Sequence, residues 1–162
     1  MSRQLPTSFF RRPVELVARE LLGAAIVSRI RGRHVVARVV ETEAYLGFDD
    51  PASHAFRGRL HQQNRSIYCP PGTWYVYRSY GIHWCANLVA GPAGVGAAVL
   101  LRGVEVTRGE EIVASRRPGV PRSRWADGPG KLCQALGIDP SIDGVPMRAS
   151  PVRVRTGEAL DD

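Results

Sequence analysis

Glu41, Glu43 and Tyr45 stand at alternate positions in RVVETEAYLG, the stretch from Arg38 to Gly47. Residues two apart in an extended chain share a face, so all three project to one side if the strand begun by Val39 and Val40 persists. A carboxylate placed there can take a proton from an attacking water, and a near-normal pKa suffices for that work. Two other uses stay open: a Mg²⁺ site completed by the nearby Asp49 and Asp50, as a nuclease would need, or solvated acids at a strand end.

A second concentration of chemistry lies in TWYVYRSYGIHWCANLVA (Thr73 to Ala90), which holds Trp74, Tyr75, Tyr77, Tyr80 and Trp84. Aromatics in hairpins are usually core, but interleaved with arginines in an acid-free stretch they also suit base stacking. The histidines, His34, His54, His61 and His83, match no zinc-binding spacing. GPGK at Gly128 to Lys131 lacks the spacing and the Ser or Thr of a nucleotide-triphosphate loop. Lys131 near a helix start is either a DNA-phosphate contact or a solvated lysine.

The elements that must position these groups can be read from patterning. Pro13 opens a helix with an apolar stripe of Leu16, Val17, Leu21 and Leu22, closed by Gly23. Two strands, Ala24 to Ile30 and Val35 to Ala44, join through a turn containing Gly32 and end at the carboxylates. A long irregular stretch, Leu46 to Gly72, follows, of a length that in compact domains often serves function. The aromatic runs form a hairpin with Tyr80 at or near its tip, and Ala97 to Leu101 is a buried strand ending in Arg102. Thr107 to Arg116 reads as a helix with Thr107 as N-cap and Glu110 as its capping-box partner. A last helix starts near Pro129 and stops at Gly137. The expected class is α+β: one domain spanning 1–162, a largely antiparallel sheet with surrounding helices and a protruding β-hairpin.

The chain has 162 residues, 44% of them hydrophobic, enough for a proper core. Its 22 Lys and Arg outnumber 15 Asp and Glu, giving a formal charge of +7, and every basic residue but Lys131 is arginine. No acid occurs between Ala52 and Arg102, whereas Arg57, Arg59, Arg65, Arg78 and Arg102 fall inside that stretch. Such a surface attracts a polyanion, and arginine favours bidentate contact with phosphate. Cys69, Cys85 and Cys133 form no C-x-x-C pair and suit a reducing compartment. With no signal-peptide pattern and no apolar run of about 18 residues, the expectation is a soluble intracellular protein, cytoplasmic and nucleoid-associated if bacterial, and not a membrane partner.

The ordered series VVETEAYLG, DDPASHAFRG, PGTWYVYRSYGIHWCANLV, AVLLRGVEV and GPGKLCQALGID resembles the alkyladenine (3-methyladenine) DNA glycosylase family, over roughly Val17 to Asp139. The resemblance implies a monofunctional enzyme that flips an alkylated or deaminated purine out of double-stranded DNA. It then hydrolyses the N-glycosidic bond, leaving an abasic site, as a monomer and without metal or organic cofactor. By position, Glu43 would activate the water and Arg102 help hold it. Tyr45 and Tyr77 would stack on the base, His54 meet its edge, and Asn87 crowd the amino group of guanine. Tyr80 would fill the gap in the duplex, while Arg57, Arg59, Arg65, Arg78 and Lys131 meet phosphates, leaving Glu41 a structural role. The family's T-x-R-N element is here HQQN (His61 to Asn64), with Arg59 and Arg65 able to compensate. The family also continues past VRVRTGE (Val152 to Glu158), so a shortened C-terminal end is expected, and with it the alternative of a lesion-binding relative without efficient excision.

Overall fold

In the computed structural model, which describes residues 2–81 and 83–157, two short helices, α1 (Thr7–Phe10) and α2 (Val14–Glu20), lead into the sheet. Strands β1 (Ala25–Ile30) and β2 (Arg33–Tyr45) form a hairpin whose two-residue turn, Arg31 and Gly32, has positive φ at both positions. That geometry matches the natural twist of paired strands. Strands β3 (Trp74–Ser79) and β4 (His83–Val89) form the second hairpin, followed by β5 (Ala98–Arg108), α3 (Glu110–Arg116), α4 (Pro129–Leu136) and β6 (Val152–Arg155). The six strands make one antiparallel sheet in the order β3-β4-β5-β2-β1-β6, an α+β domain as the sequence predicts.

Two expectations need correction. The strand at Ala97 to Leu101 does not end at Arg102 but runs on to Arg108, because pairing with the long β2 continues to Val36. Thr107 is therefore no helix cap. It lies in β5, its hydroxyl donating to the carbonyl of Val36, and α3 begins after Gly109, whose φ of 81° turns the chain with no side-chain cap. The Leu46 to Gly72 stretch holds two 3₁₀ segments, Phe56–Gly58 and Gln62–Tyr68.

One sheet face packs on α2, α3 and α4 around Phe10, Leu21, Ile26, Trp74, Leu101, Leu132 and Leu136, all essentially inaccessible to water. Burial of such side chains contributes roughly 1.5–3 kcal/mol each and dominates the stability of the fold. A smaller apolar cluster on the opposite face joins Ala55 and Ile67 of the long loop to Tyr75, Val89 and Ala98. Gly96 permits that closure: a Cβ there would lie 2.4 Å from the Cβ of Ala55.

Both sheet edges are covered. Along β3, Trp74 N–H donates to Val145, Gly144 N–H donates to Trp74, and Val76 N–H donates to the carboxylate of Asp143. Along β6, Leu5 N–H donates to Val154 and Thr156 N–H to Arg3.

Candidate active site

The β2–β5 ladder explains how one strand buries valines yet presents acids. Val35, Ala37 and Val39 are buried in the main core. Between Val39 and Thr42 the register slips twice: Val40 is extra on β2, and Arg102 is extra on β5. An unpaired residue in one strand reverses which face the following side chains take. Glu41, Glu43 and Tyr45 therefore leave the core side, and Thr42 replaces them there, donating to the carbonyl of Ala18 in α2. The common face expected for the three residues exists, and it is the face opposite the valines.

Cross-strand pairing then assembles the site. Glu43 is opposite Leu100, which is opposite Asn87, which is opposite Tyr75, in one row over four strands. Tyr45 is opposite Ala98. A small pocket is lined by Tyr45, Ala52, His54, Ile67, Tyr75, Tyr77, Asn87 and Ala98. The sequence-predicted Tyr45, His54, Tyr77 and Asn87 thus meet in one cavity. Tyr75 belongs with them and had no assigned role in the sequence reading. Its spacing of two from Tyr77 on a strand was the available signal.

Beside the pocket, Glu43 is held from two sides. Arg102 donates through Nη1 to Oε2 at 2.7 Å and through Nε to Glu41 at 3.1 Å, while the Tyr45 hydroxyl donates to Oε1. These groups are partly exposed, so the ion pairs add little stability and act by fixing the carboxylate. Partial burial, then the bond to Glu43, pushes the Tyr45 hydroxyl up to about 12, so it stays a donor through the neutral range. The same bonds to Glu43 hold the Arg102 guanidinium above its usual range.

On the pocket's other side, the Tyr75 and Tyr77 rings stack at 5.3 Å, inclined by 29°. His54 packs edge-on to Tyr77 at 4.4 Å, and its Nδ1 lies 2.7 Å from the Tyr75 hydroxyl. Burial, then nearby His61, lowers the His54 pKa, so the ring is neutral at pH 7. Burial raises both tyrosine hydroxyls.

The loop carrying His54 is pinned by Asn64, a fully buried side chain. Its amide donates to the carbonyls of His54 and Arg59 at 3.0 and 2.9 Å, and its oxygen accepts from His61 N–H. Asp143 adds a second fastening, accepting from the Ser66 hydroxyl and from Val76 N–H.

Tyr80 sits at the hairpin tip, 96% exposed, with a φ of 50°. Close by, Gly130 of α4 lets the helix meet the hairpin just below its tip, since a Cβ there would lie 2.7 Å from the Cβ of His83. Arg59, Arg78, Tyr80, His61 and Trp84 line a broad groove contiguous with the pocket, the Arg78 guanidinium lying 5.7 Å from the Trp84 ring. Arg57, Arg65 and Lys131 do not line it. Arg57 lies over the Phe56 ring, and Lys131 is paired with Asp127 at 2.9 Å.

The four-carboxylate Mg²⁺ alternative does not assemble. Glu41 and Glu43 share Arg102, while Asp50 accepts from the amides of Leu46 and Ala52. Among the described residues no three His, Cys, Asp or Glu side chains gather where they could hold a metal ion. Cys69, Cys85 and Cys133 are free thiols, the latter two buried. No helix among the described residues is long and apolar enough to cross a membrane.

Fold and site together define a class: a small α+β protein whose sheet carries an aromatic pocket beside an arginine-braced carboxylate. The chain belongs to the methylpurine-DNA glycosylase family, whose sequence model matches residues 8–162. The family consists of DNA glycosylases, hydrolases of N-glycosyl bonds. Among similar proteins, one from Agrobacterium fabrum is 47% identical over 95% of this chain and 75% of its own length. One from Methanoculleus marisnigri is 43% identical over 94% of this chain and 78% of its own length. One from Frankia casuarinae is 45% identical over 90% and 67%. All three carry the name "Putative 3-methyladenine DNA glycosylase".

Proposed function

We propose that this protein excises alkylated or deaminated purines from duplex DNA by hydrolysis, leaving an abasic site and an unbroken strand. The observation that carries this reading is the Glu43 carboxylate, braced by Arg102 and the Tyr45 hydroxyl at the edge of the Tyr45, Tyr75 and Tyr77 pocket.

A stacked base hides its sugar carbon, so the nucleotide must swing out of the helix at a cost of a few kcal/mol. Tyr80, exposed at the hairpin tip, offsets part of that cost by filling the vacated space. In the pocket each aromatic face contributes about 1–3 kcal/mol of stacking. A purine made cationic by alkylation gains further from the tyrosine faces. His54 shares a hydrogen bond at Nδ1 with the Tyr75 hydroxyl, which orients the ring; in the tautomer whose Nδ1 accepts, Nε2 carries the proton and donates to the base edge. Asn87, whose amide donates to the Tyr75 carbonyl at 3.3 Å, fixes the pocket wall that crowds an exocyclic amino group.

For the bond itself, the glycosidic C–N electrons pass to the departing base while water oxygen bonds to the sugar carbon. Glu43 takes the water's proton and stabilises the positive charge that develops on the sugar. Arg102 keeps Glu43 oriented. Strand cleavage by such enzymes uses an amine nucleophile; the chain's one lysine, Lys131, is bonded to Asp127 outside the groove.

The test is single-turnover incubation with end-labelled duplexes carrying one damaged purine, each sample divided between mild conditions and hot alkali. Strand breakage only after alkali is expected. Glu43→Gln should lower the excision rate by about 10²–10⁴, the usual share of a general base, while keeping lesion affinity. Lesion-selective binding by the unmodified protein with no excision would overturn the reading in favour of a binding protein.

A further inference from the structure

A second cationic surface lies away from the pocket, on the open face of β1, β2 and β6. Cross-strand pairs set Arg155 opposite Ala25 and Ala25 opposite Arg38, then Arg153 opposite Val27 and Val27 opposite Val36, and Val36 opposite Arg108. Arg29 is opposite His34 in the next row. These side chains share the face away from the main core, and Arg29, Arg38, Arg108 and Arg155 line one cleft with His34. Arg29, Arg108 and Arg153 are exposed. Among the described residues, the one acid opposite this set is Glu105, tied to Arg38, and neither Arg29 nor Arg108 forms an ion pair.

We propose that this face is a second binding site for the phosphate backbone of duplex DNA, distinct from the lesion groove. Charge identifies the ligand: four arginines without a carboxylate partner among the described residues, Arg29, Arg108, Arg153 and Arg155, on a broad strand surface match a regularly spaced polyanion, and guanidinium forks suit phosphate oxygens. Among the described residues the face presents Val27, Val36 and Ala25 between its arginines and no Phe, Tyr or Trp ring to stack on a base, so it contacts backbone. Its separation from the groove also follows from the fold. The groove runs along β3, whereas this face is built from β6, β1, the Arg33 end of β2 and the Arg108 end of β5, the opposite ends of those two long strands from Tyr45 and Ala98. Between them runs a neutralised band, Glu41 with Arg102 and Glu105 with Arg38, where a continuous phosphate track would meet carboxylates. The glycosylase reading enters only in naming the first duplex.

The test uses the full chain, with a lesion-bearing duplex filling the groove and a labelled undamaged duplex added at low salt. Sedimentation should show two duplexes per protein. The double substitution Arg29→Glu with Arg108→Glu should weaken capture of the second duplex at least tenfold, leaving lesion affinity and single-turnover excision within twofold. The neutral pair Arg29→Gln with Arg108→Gln should fall between and guard against misfolding. For undamaged duplex bound at this face, the slope of log K against log[salt] should shrink by about 0.9 for each phosphate contact removed. A single duplex per unmodified protein overturns the proposal, as does an unaltered second duplex in the variant. Parallel loss of lesion affinity would assign the face to the first duplex's path and overturn it too, and polyglutamate capture without DNA capture would assign it to acidic protein. Failure of the glycosylase reading would instead appear as absent excision with second-duplex binding intact.

Discussion

Glu43 is useful because its neighbours leave it no freedom. With Arg102 on one oxygen and Tyr45 on the other, the carboxylate has one orientation, and this partly exposed pair stabilises the fold by little. Tyr45→Phe should accordingly leave the melting temperature nearly unchanged and slow excision several-fold, measured at saturating enzyme. His54 gives a pH signature. Its folded pKa lies below the ordinary 6.5, so as pH falls the unfolded chain takes the proton first. The His54 contribution to stability should be full above 6.5 and decline below it, seen as a urea midpoint that drops more on acidification than in His54→Gln. Asn64→Ala should destabilise more than either, by roughly 1–3 kcal/mol for each buried polar group left without a partner, and should lower affinity for the lesion by freeing the loop that carries His54. Glu43, Tyr45 and Arg102 were legible in sequence because alternation and ordered motifs mark them. The fastening by Asn64 was not, since its partners are backbone atoms three to ten residues away whose geometry no side-chain pattern encodes.

At the scale of elements, both hairpins were readable: Gly32 and Gly81 mark turns between β-prone runs, and the first needs positive φ that glycine accepts readily. The true extent of β5 was hidden, because Arg102, Gly103, Glu105 and Thr107 interrupt its apolar run and alternation restarts after a slip of register. Likewise, nothing in RVVETEAYLG announces that Val40 is left out of the ladder, although that omission aims Glu43 away from the core. The β3–β4 hairpin presents Tyr80 to solvent with almost no contact of its own, so Tyr80→Ala should leave thermal stability intact. It should weaken binding to a lesion-bearing duplex about tenfold, or about 1.4 kcal/mol, by fluorescence anisotropy. Unchanged affinity would remove the hairpin tip from the extrusion step.

For the whole molecule, the +7 charge and the acid-free middle of the sequence pointed to a polyanion, and the groove of Arg59, Arg78 and Tyr80 gathers part of that charge beside the pocket. Which arginines face together was not legible, because it depends on strand order, and β6, the last strand, lies beside the first. The covered sheet edges carry a consequence of another kind. Unpaired strand edges are templates on which identical chains add to one another, and here Asp143 to Val145 and Arg3 to Leu5 occupy both of them. A protein that must stay dispersed while crowded along its target can carry a long arginine-bordered sheet only if that sheet cannot grow.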